Sequence, residues 1–549
     1  MGFDYAVQSL AAGVRRSNAA VRASLWAGVS GPTVLVVLIA LFQVAIWGGL
    51  SGAMAVAPPD DSLEQILLSQ DLRLEYGKHP PLPTWILFAS NRVFGASIGA
   101  TYVLGVLCSV GTMLLLYAFA RRLIGPARSA LAAILLSNIE YMNAGTAYFN
   151  HNTVQLPFAL LAIVLFHRAL TMMRLRDWAL FGLGCGLMML AKFSAVVLFA
   201  SFAVYLLWTH RLAEPSVWKG LAIAALVGAA VFAPYYLSVR DDPWSPNAYA
   251  MKSLFPGDVD RVQCLKTVWG FTSSQLAKVA PALMIFAFMR RGAPRPVETR
   301  DGPVALGPFL TLVGFGPMVL TVVAALLSGA QLLVGWGATF HVLLTLWLVA
   351  AKPLAIDVTL HSLRRVAVAS VAVQSVLWAL VATHDGRVPN LNPTPRPISP
   401  PTPLQLADAA RSAWAEHCAA PLRFVVTDGH TGASLAVRYQ GQPRVVDAMR
   451  SEFAKFFPIE ARSADGAVVA VRRLSAAGSG PLPTRPIDRL MADATWQTLV
   501  ELPASDGRRY EYVLGVLAPS TGQGCEYANS AGASRPGTSG HLGRFGPAG

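Results

Sequence analysis

Apolar runs of roughly twenty residues recur along the first two-thirds of this chain, broken by short polar stretches. They fall near 32–52, 98–120, 128–147, 153–171, 178–191, 194–209, 219–238, 272–289, 305–328, 331–351 and 366–383. Each is long enough, or nearly so, to cross a hydrocarbon core of about 30 Å as a helix. The pattern predicts an α-helical polytopic membrane protein with about eleven transmembrane helices over residues 32–383. The run at 178–191 is the shortest and suits a half-helix packed against protein.

Lysine and arginine are shared unevenly among the connections. Alternate loops hold Arg121, Arg122 and Arg128; Arg174 and Arg176; Arg211 and Lys219; Arg290, Arg291, Arg295 and Arg300; and Lys352, Arg364 and Arg365. The connections near 150 and 329 hold neither residue. Basic loops stay in the cytoplasm, which sets a cytoplasmic N-terminal segment (1–31) and an outward C-terminal region. Arg15, Arg16 and Arg22 precede the run Pro32 to Leu50, and Ala53-Met54-Ala55 resembles a cleavage site. A signal h-region spans only about 7–15 residues, so an uncleaved first helix is expected.

That orientation sends Asp60, Asp61, His79, Asn150, His151, Asn152, Lys192, Asp241 and Asp242 to the outward face. Lys252, Asp258, Asp260, Arg261 and Lys266 share it. The first long outward loop, 57–97, carries paired carboxylates, an amphipathic run, then Lys78-His79-Pro80-Pro81. Past residue 384 the composition changes. Residues 384–403 form a Pro-rich, semi-rigid linker. Over 404–517 a helix near 404–419 and short apolar strands at Leu422 to Thr427, Pro443 to Val446 and Ala467 to Val471 predict a small α/β domain. A turn is expected at Asp428-Gly429, and a hairpin from Thr498 to Leu502 and Tyr510 to Leu517. The Gly/Ser/Pro-rich tail, 518–549, reads as disordered.

Composition agrees. Of 549 residues, 54% are hydrophobic and 13% charged, about half the charge of a soluble domain. The net charge of +14 is accounted for by cytoplasmic loops, so no nucleic-acid partner is called for. The five cysteines show no metal or redox spacing, and Cys108 and Cys185 lie within apolar runs. Cys418 and Cys525 share the outward region, where a disulfide is permitted but not required.

Each outward group has a functional and a bland reading. A carboxylate at Asp60 or Asp61 can take a proton from an acceptor hydroxyl, or it can cap the helix that Pro-Asp-Asp-Ser-x-Glu64 announces. Ile66, Leu67, Leu72 and Leu74 form an apolar face opposite Glu64, Gln65 and Asp71, which suits an interfacial helix. Successive prolines exclude regular helix over 78–83 and fix Lys78 and His79 in a turn. That cation and imidazole can hold a phosphate, or Lys78 can simply snorkel to water. Lys192, in LMMLAKFSAVVLF, lacks a sequence-adjacent carboxylate. An unpaired charge there costs about 3 kcal/mol, which a phosphate would offset; the alternative is a snorkelling helix end. Asn150, His151 and Asn152 can bind sugar hydroxyls or satisfy helix ends, with Asn152 the expected cap. A lone His151 is a weak metal signal. Glu140 is an intramembrane carboxylate without an assigned place.

The residues Asp61-Ser62-Leu63-Glu64-Gln65, Tyr76-Gly77-Lys78-His79-Pro80-Pro81-Leu82, Trp85 and Val93-Phe94-Gly95 resemble glycosyltransferase family 39. So do Gly182-Leu183-Gly184 and Leu190-Ala191-Lys192-Phe193. This GT-C family includes protein mannosyltransferases and lipid A aminoarabinose transferases, and the pattern is most similar to bacterial lipopolysaccharide-modifying members. The resemblance spans about residues 30–350. It implies Asp61 as catalytic base or acceptor-positioning residue, and Lys192 and His79 as donor-phosphate contacts, beside which the proline turn sets Lys78. Asp60, Glu64, Tyr76, Asn150, His151 and Asn152 are the candidates for contact with sugar or acceptor. Many members carry an acidic residue where this chain has Asn150-His151-Asn152, so a divalent metal is left open and no cofactor is called for.

The reaction implied is inverting transfer of a sugar from a polyprenyl-phosphate-linked donor to a hydroxyl of lipid A, another glycolipid or a protein. Membrane lipids are the surroundings. The alternative from another class is a transporter or flippase of lipid-linked sugars, which would commonly show internal repeats and midplane charges; no repeat is found here. A third reading, a regulatory membrane protein with an outward sensor tail, predicts no glycan change on deletion.

Overall fold

The computed structural model describes residues 31–55, 59–241, 246–255, 257, 261–289, 303–350, 358–384, 403–440, 442–448, 465–472, 486–503, 509–519 and 525. The chain divides into two compact units, Met1–Ile398 and Ser399–Gly549. The N-terminal segment, the Arg290–Arg300 cluster, Lys352, Asp242, Asp258, Asp260, nearly all of the Pro-rich linker and most of the C-terminal tail lie outside the described residues.

The first unit is helical. Among the described residues, seven helices are long and apolar enough to cross a membrane: α1 (Gly31–Met54), α4 (Ile98–Ile124), α6 (His151–Met172), α9 (Pro215–Val239), α11 (Arg261–Met289), α12 (Leu306–Ser328) and α14, whose apolar stretch is Leu360–Thr383. Between them lie α2 (Asp60–Leu68), α3 (Leu82–Phe94), α5 (Pro126–Leu136), α7 (Leu175–Ala191), α8 (Ala195–Trp208), α10 (Pro246–Leu254) and α13 (Leu344–Ala350). This is a multi-pass membrane protein. All eleven expected positions carry helix, but four of them hold the shorter α5, α7, α8 and Val334–Ala350.

The shortening of α5 has a local cause. Past Leu136 the side chains of Ser137, Asn138 and Asn143 bond backbone carbonyls: Ser137 Oγ and Asn138 Nδ2 donate to Ile134 O at 2.7 and 2.8 Å, and Asn143 Nδ2 to Ser137 O at 3.1 Å. Such local bonds compete with the helical ladder. The chain continues instead as two 3-10 turns, Glu140–Met142 and Ala144–Ala147. Every residue of α5 from Ser129 to Leu136 is buried, so this non-spanning helix is enclosed by protein, as irregular backbone at membrane depth must be.

Glycines set two close approaches. A Cβ at Gly105 of α4 would run into the Thr146 carbonyl, which fixes the turn leading to Asn150. Gly182 and Gly186, four apart on α7, face Ala224, Gly228 and Val231 of α9; a Cβ at Gly182 would strike the Ala224 backbone. Small residues at this spacing let membrane helices touch closely. Lys192, at the end of α7, is held in place by that seam.

Two expectations about the 57–97 loop change. The amphipathic helix is shorter than expected: α2 ends at Leu68, and Leu72 and Leu74 are exposed in the loop beyond it. Its polar residues Glu64 and Gln65 are buried together with Leu63 and Ile66, because both polar side chains find partners there. Helix α3 begins at Leu82, within the proline run, with Pro81 as cap and Pro83 in the first turn. First-turn N–H groups lack helical partners anyway, so proline is tolerated there.

The second unit contains α15 (Pro403–Ala415), β1 (Phe424–Thr427), α16 (Gly429–Tyr439), β2 (Arg444–Asp447), β3 (Ala467–Arg472), α17 (Pro486–Ala492), β4 (Trp496–Pro503) and β5 (Arg509–Leu517). The strands form one sheet in the order β2-β1-β3-β5-β4. β1 is parallel to β2 and β3, while β5 runs antiparallel to β3 and β4. Val426, Ala467, Val469, Ile487 and Leu517 form one core cluster. The expected turn at Asp428-Gly429 is a helix start, since the Asp428 side chain accepts from Thr431 N at 2.9 Å. Cys418 and Cys525 are joined in a disulfide.

Candidate active site

Helix α2 opens the site. Its N-cap is Pro59, whose carbonyl accepts from Ser62 N and Leu63 N at 2.9 and 3.0 Å. Neither aspartate therefore occupies the cap position expected from sequence. Both stand in the first turn, where the helix dipole favours negative charge. The Asp60 side chain lies outside the described residues. Asp61 is exposed, and its Oδ2 accepts from Asn150 Nδ2 at 2.7 Å. Ser62 pins the helix from behind, accepting from Phe149 N at 2.9 Å.

Asn150 does two jobs. It is the N-cap of α6, its Oδ1 accepting from Thr153 N at 3.0 Å, while its amide nitrogen holds Asp61. The cap expected at Asn152 is thus supplied two residues earlier. Asn152 turns to the lysine instead: Lys192 Nζ donates to Asn152 Oδ1. Lys192 lies in the turn between α7 and α8, only 9% exposed, with its Nζ 6.0 Å from the centroid of the Trp336 ring. Gln155 Nε2 donates to the Lys192 carbonyl at 3.2 Å and secures that turn. Burial pulls the ammonium down from 10.5 to about 8, and the Asp61 charge partly opposes the fall.

Lys78 and Glu64 form a mostly buried ion pair at 2.5 Å, with Lys78 Nζ 5.5 Å from the centroid of the Tyr249 ring. His79 stacks at 4.2 Å on the ring of His151 and meets the Tyr249 edge at 5.0 Å. His151 Nε2 lies 3.1 Å from the Pro80 carbonyl. Loss of hydration, then the nearby His151, Lys78 and Lys192, push the His79 pKa well below its usual 6.5. His79 is therefore neutral at pH 7 and offers a phosphate a hydrogen bond without a charge. Tyr76 is buried and its hydroxyl serves its own loop, donating to Asp71 O at 2.7 Å and accepting from Arg73 N at 2.8 Å. It shapes the turn that presents Lys78.

The structure thus gathers Asp61, Lys78, His79, Asn150, His151, Asn152 and Lys192, with Glu64 and Tyr76 behind them. Sequence reasoning missed Trp336, Tyr249 and Gln155. Trp336, between Gly335 and Gly337, falls in a run that reads as membrane span. Tyr249 belongs to α10, in a loop that gives no register. Gln155 sits one helical turn from His151 on α6, a spacing that carries a signal only once the face is known. Glu140 finds its partner in Lys278 of α11. Among the described residues no group of three or more His, Cys, Asp and Glu is gathered to hold a metal ion.

Chemically, the arrangement offers an exposed carboxylate, oriented by an amide, and a buried cation beside aromatic rings. The first suits proton abstraction and the second an anion entering from an apolar side.

Comparison with known proteins agrees. Residues 78–237 match the family described as dolichyl-phosphate-mannose-protein mannosyltransferase. Over 180 residues the chain is 32% identical to the undecaprenyl phosphate-α-4-amino-4-deoxy-L-arabinose arabinosyl transferase of Pseudomonas paraeruginosa, covering 31% of this chain and 32% of that protein. Over 173 residues it is 28% identical to the lipid A galacturonosyltransferase RgtD of Rhizobium johnstonii, covering 30% and 36%. The chain thus spans about a third of the length of these relatives. The fold is similar to the crystal structure of ArnT from Cupriavidus metallidurans bound to undecaprenyl phosphate over 88% of this chain and 98% of that one, with a TM-score of 0.54 at 15% identity. Its apo form gives 0.53 at 14% identity, with 90% and 99% covered. The resemblance to GT-C glycosyltransferases drawn from the motifs is borne out by family, relatives and fold.

Proposed function

We propose that this chain is a glycosyltransferase of the bacterial inner membrane. It moves a sugar from a polyprenyl-phosphate carrier to a hydroxyl of lipid A or a related acceptor at the periplasmic face. Its N-terminus lies in the cytoplasm and its α/β unit outside. One observation carries the reading: Asp61 on α2 and Lys192 after α7 are drawn together by neighbouring asparagines at one helix start, Asn150 and Asn152.

In the reaction, Asp61 takes the proton of the acceptor hydroxyl as its oxygen forms a bond to the anomeric carbon. The bond from that carbon to the phosphate oxygen breaks on the opposite face, so the configuration inverts. The leaving group is polyprenyl phosphate, whose developing charge Lys192 and a hydrogen bond from His79 stabilise. Lys78, paired with Glu64, adds a second cation at the rim once the phosphate arrives. The named activities of the relatives, on undecaprenyl-phosphate aminoarabinose and on lipid A, support this donor and acceptor class.

The test is mass spectrometry of lipopolysaccharide and polar lipids from a deletion strain, complemented with wild type or Lys192→Ala. The expected result is loss of one sugar's mass, restored by wild type alone. Unchanged glycans, with altered transbilayer movement of lipid-linked sugar, would favour the transporter reading.

A further inference from the structure

We infer that Gln275, in the middle of α11, is a positioning residue: with Tyr141 and His341 it clamps the turn at 334–341 so that Trp336 is held against Lys192. The inference rests on Lys192 being the donor-phosphate contact proposed above.

The turn needs external ties. Val334–His341 is a 3-10 segment of eight residues, and 3-10 runs beyond three or four residues are uncommon because their hydrogen bonds are poorer. Three side chains supply the ties. Gln275 Nε2 donates to the Val334 carbonyl at 3.0 Å, and Tyr141 Oη donates to the same carbonyl at 2.6 Å. At the far end, His341 Nε2 lies 3.1 Å from Gln275 Oε1, the geometry of an imidazole N–H donating to the amide oxygen. One amide thus holds both ends of the turn. Gln275 is 1% exposed, and its side chain fills the space that a Cβ at Gly337 would need. The Tyr141 ring is fixed in turn by Lys278, whose Nζ stands 4.7 Å from its centroid and pairs with Glu140.

The clamped turn reaches the site directly. A Cβ at Gly335 would lie 3.2 Å from the Asn152 amide nitrogen, and Trp336 faces Lys192. Lys192 also senses Asp61 of α2, His79 of the following loop and His151 of α6. Of these surroundings, the wall formed by 334–341 is the one held by Gln275. Releasing it lets water reach the ammonium.

The experiment measures binding of polyprenyl phosphate to purified protein in nanodiscs across pH 6–10. The variants are Gln275→Leu, Trp336→Ala, their double, Gly337→Ala and Lys192→Met, each checked for folding by thermal melt. Gln275→Leu is expected to weaken binding about tenfold and to move the alkaline midpoint of binding upward from near 8. Gly337→Ala should do the same by displacing the amide. The double variant should bind no more weakly than Trp336→Ala, since coupled residues are not additive. Wild-type affinity and an unmoved midpoint in both Gln275→Leu and Gly337→Ala, with binding lost in Lys192→Met, would overturn the clamp and leave the donor site standing. Intact binding in Lys192→Met would overturn the donor-site reading itself. Should Gln275→Leu fail to fold, Gly337→Ala and Trp336→Ala decide the matter: wild-type binding and an unmoved midpoint in both would overturn the clamp, and the weakened binding described above would uphold it.

Discussion

Replacing Lys192 by methionine should make the donor-free protein more stable while abolishing donor binding. The fall of the ammonium from 10.5 to about 8 corresponds to about 3 kcal/mol of preference for the neutral amine. Methionine fills a similar volume without the charge, and forfeits the hydrogen bond to Asn152, worth about 1 kcal/mol. The net expectation at pH 7 is a gain of about 2 kcal/mol, or roughly 2–4 °C in a detergent thermal melt. The sign over pH follows from the folded value lying below the unfolded one. The burden of the charge is full below pH 8, shrinks between 8 and 10.5, and is gone above. The gap between variant and wild type should close over that window. Added polyprenyl phosphate should raise the wild-type midpoint and leave Lys192→Met unmoved, because only a ligand bound to the native state stabilises it. A variant markedly less stable than wild type at pH 7, with a gap independent of pH, would make Lys192 a structural cation and refute the reasoning.

Other substitutions probe the supports. Asn150→Asp keeps a capping oxygen but sets a carboxylate against Asp61, so transfer should fall at least about tenfold while the melt changes little; Asn150→Ala should lose activity and about 1 kcal/mol of stability together. Glu64→Ala strands the buried Lys78 charge and should destabilise by about 3 kcal/mol, and Glu64→Gln by less, as melts of donor-free protein would show. Gly182→Val forces α7 off α9, so both the melting point and donor affinity should drop, with affinity hit through displacement of Lys192. Cys418→Ser opens a loop of 107 residues in the α/β unit, and limited proteolysis should cleave that unit faster, by the equivalent of about 2–4 kcal/mol, while the helical unit stays resistant.

The helices were legible in the sequence because apolar runs of membrane length have one economical explanation. Their crossing lengths were less so. The early end of α5 depends on Ser137, Asn138 and Asn143 choosing backbone carbonyls, a choice that hydropathy averages away. Asp61 and Lys192 were recognisable as charges in an apolar setting and as motif residues. Their supporting asparagines were visible but misassigned, because which asparagine caps α6 turns on a two-residue shift in the helix start. The burial of Glu64 was not legible, since a carboxylate on a short amphipathic helix normally faces water; its partner, Lys78, stands fourteen positions on, across a turn whose path the sequence does not give. Trp336 and Gln275 were hidden among apolar neighbours, and only tertiary packing brings them to the lysine.

The most direct test of the central claim is transfer by Asp61→Asn, measured by mass spectrometry with reconstituted enzyme, a polyprenyl-phosphate sugar donor and lipid A acceptor. The asparagine keeps the shape and the contact to Asn150 but cannot take a proton. Transfer should fall by about 10²–10⁴, the usual worth of a general base, while affinity for polyprenyl phosphate stays within about twofold of wild type, since no phosphate contact is removed. Wild-type transfer by Asp61→Asn in folded, donor-binding protein would contradict the account.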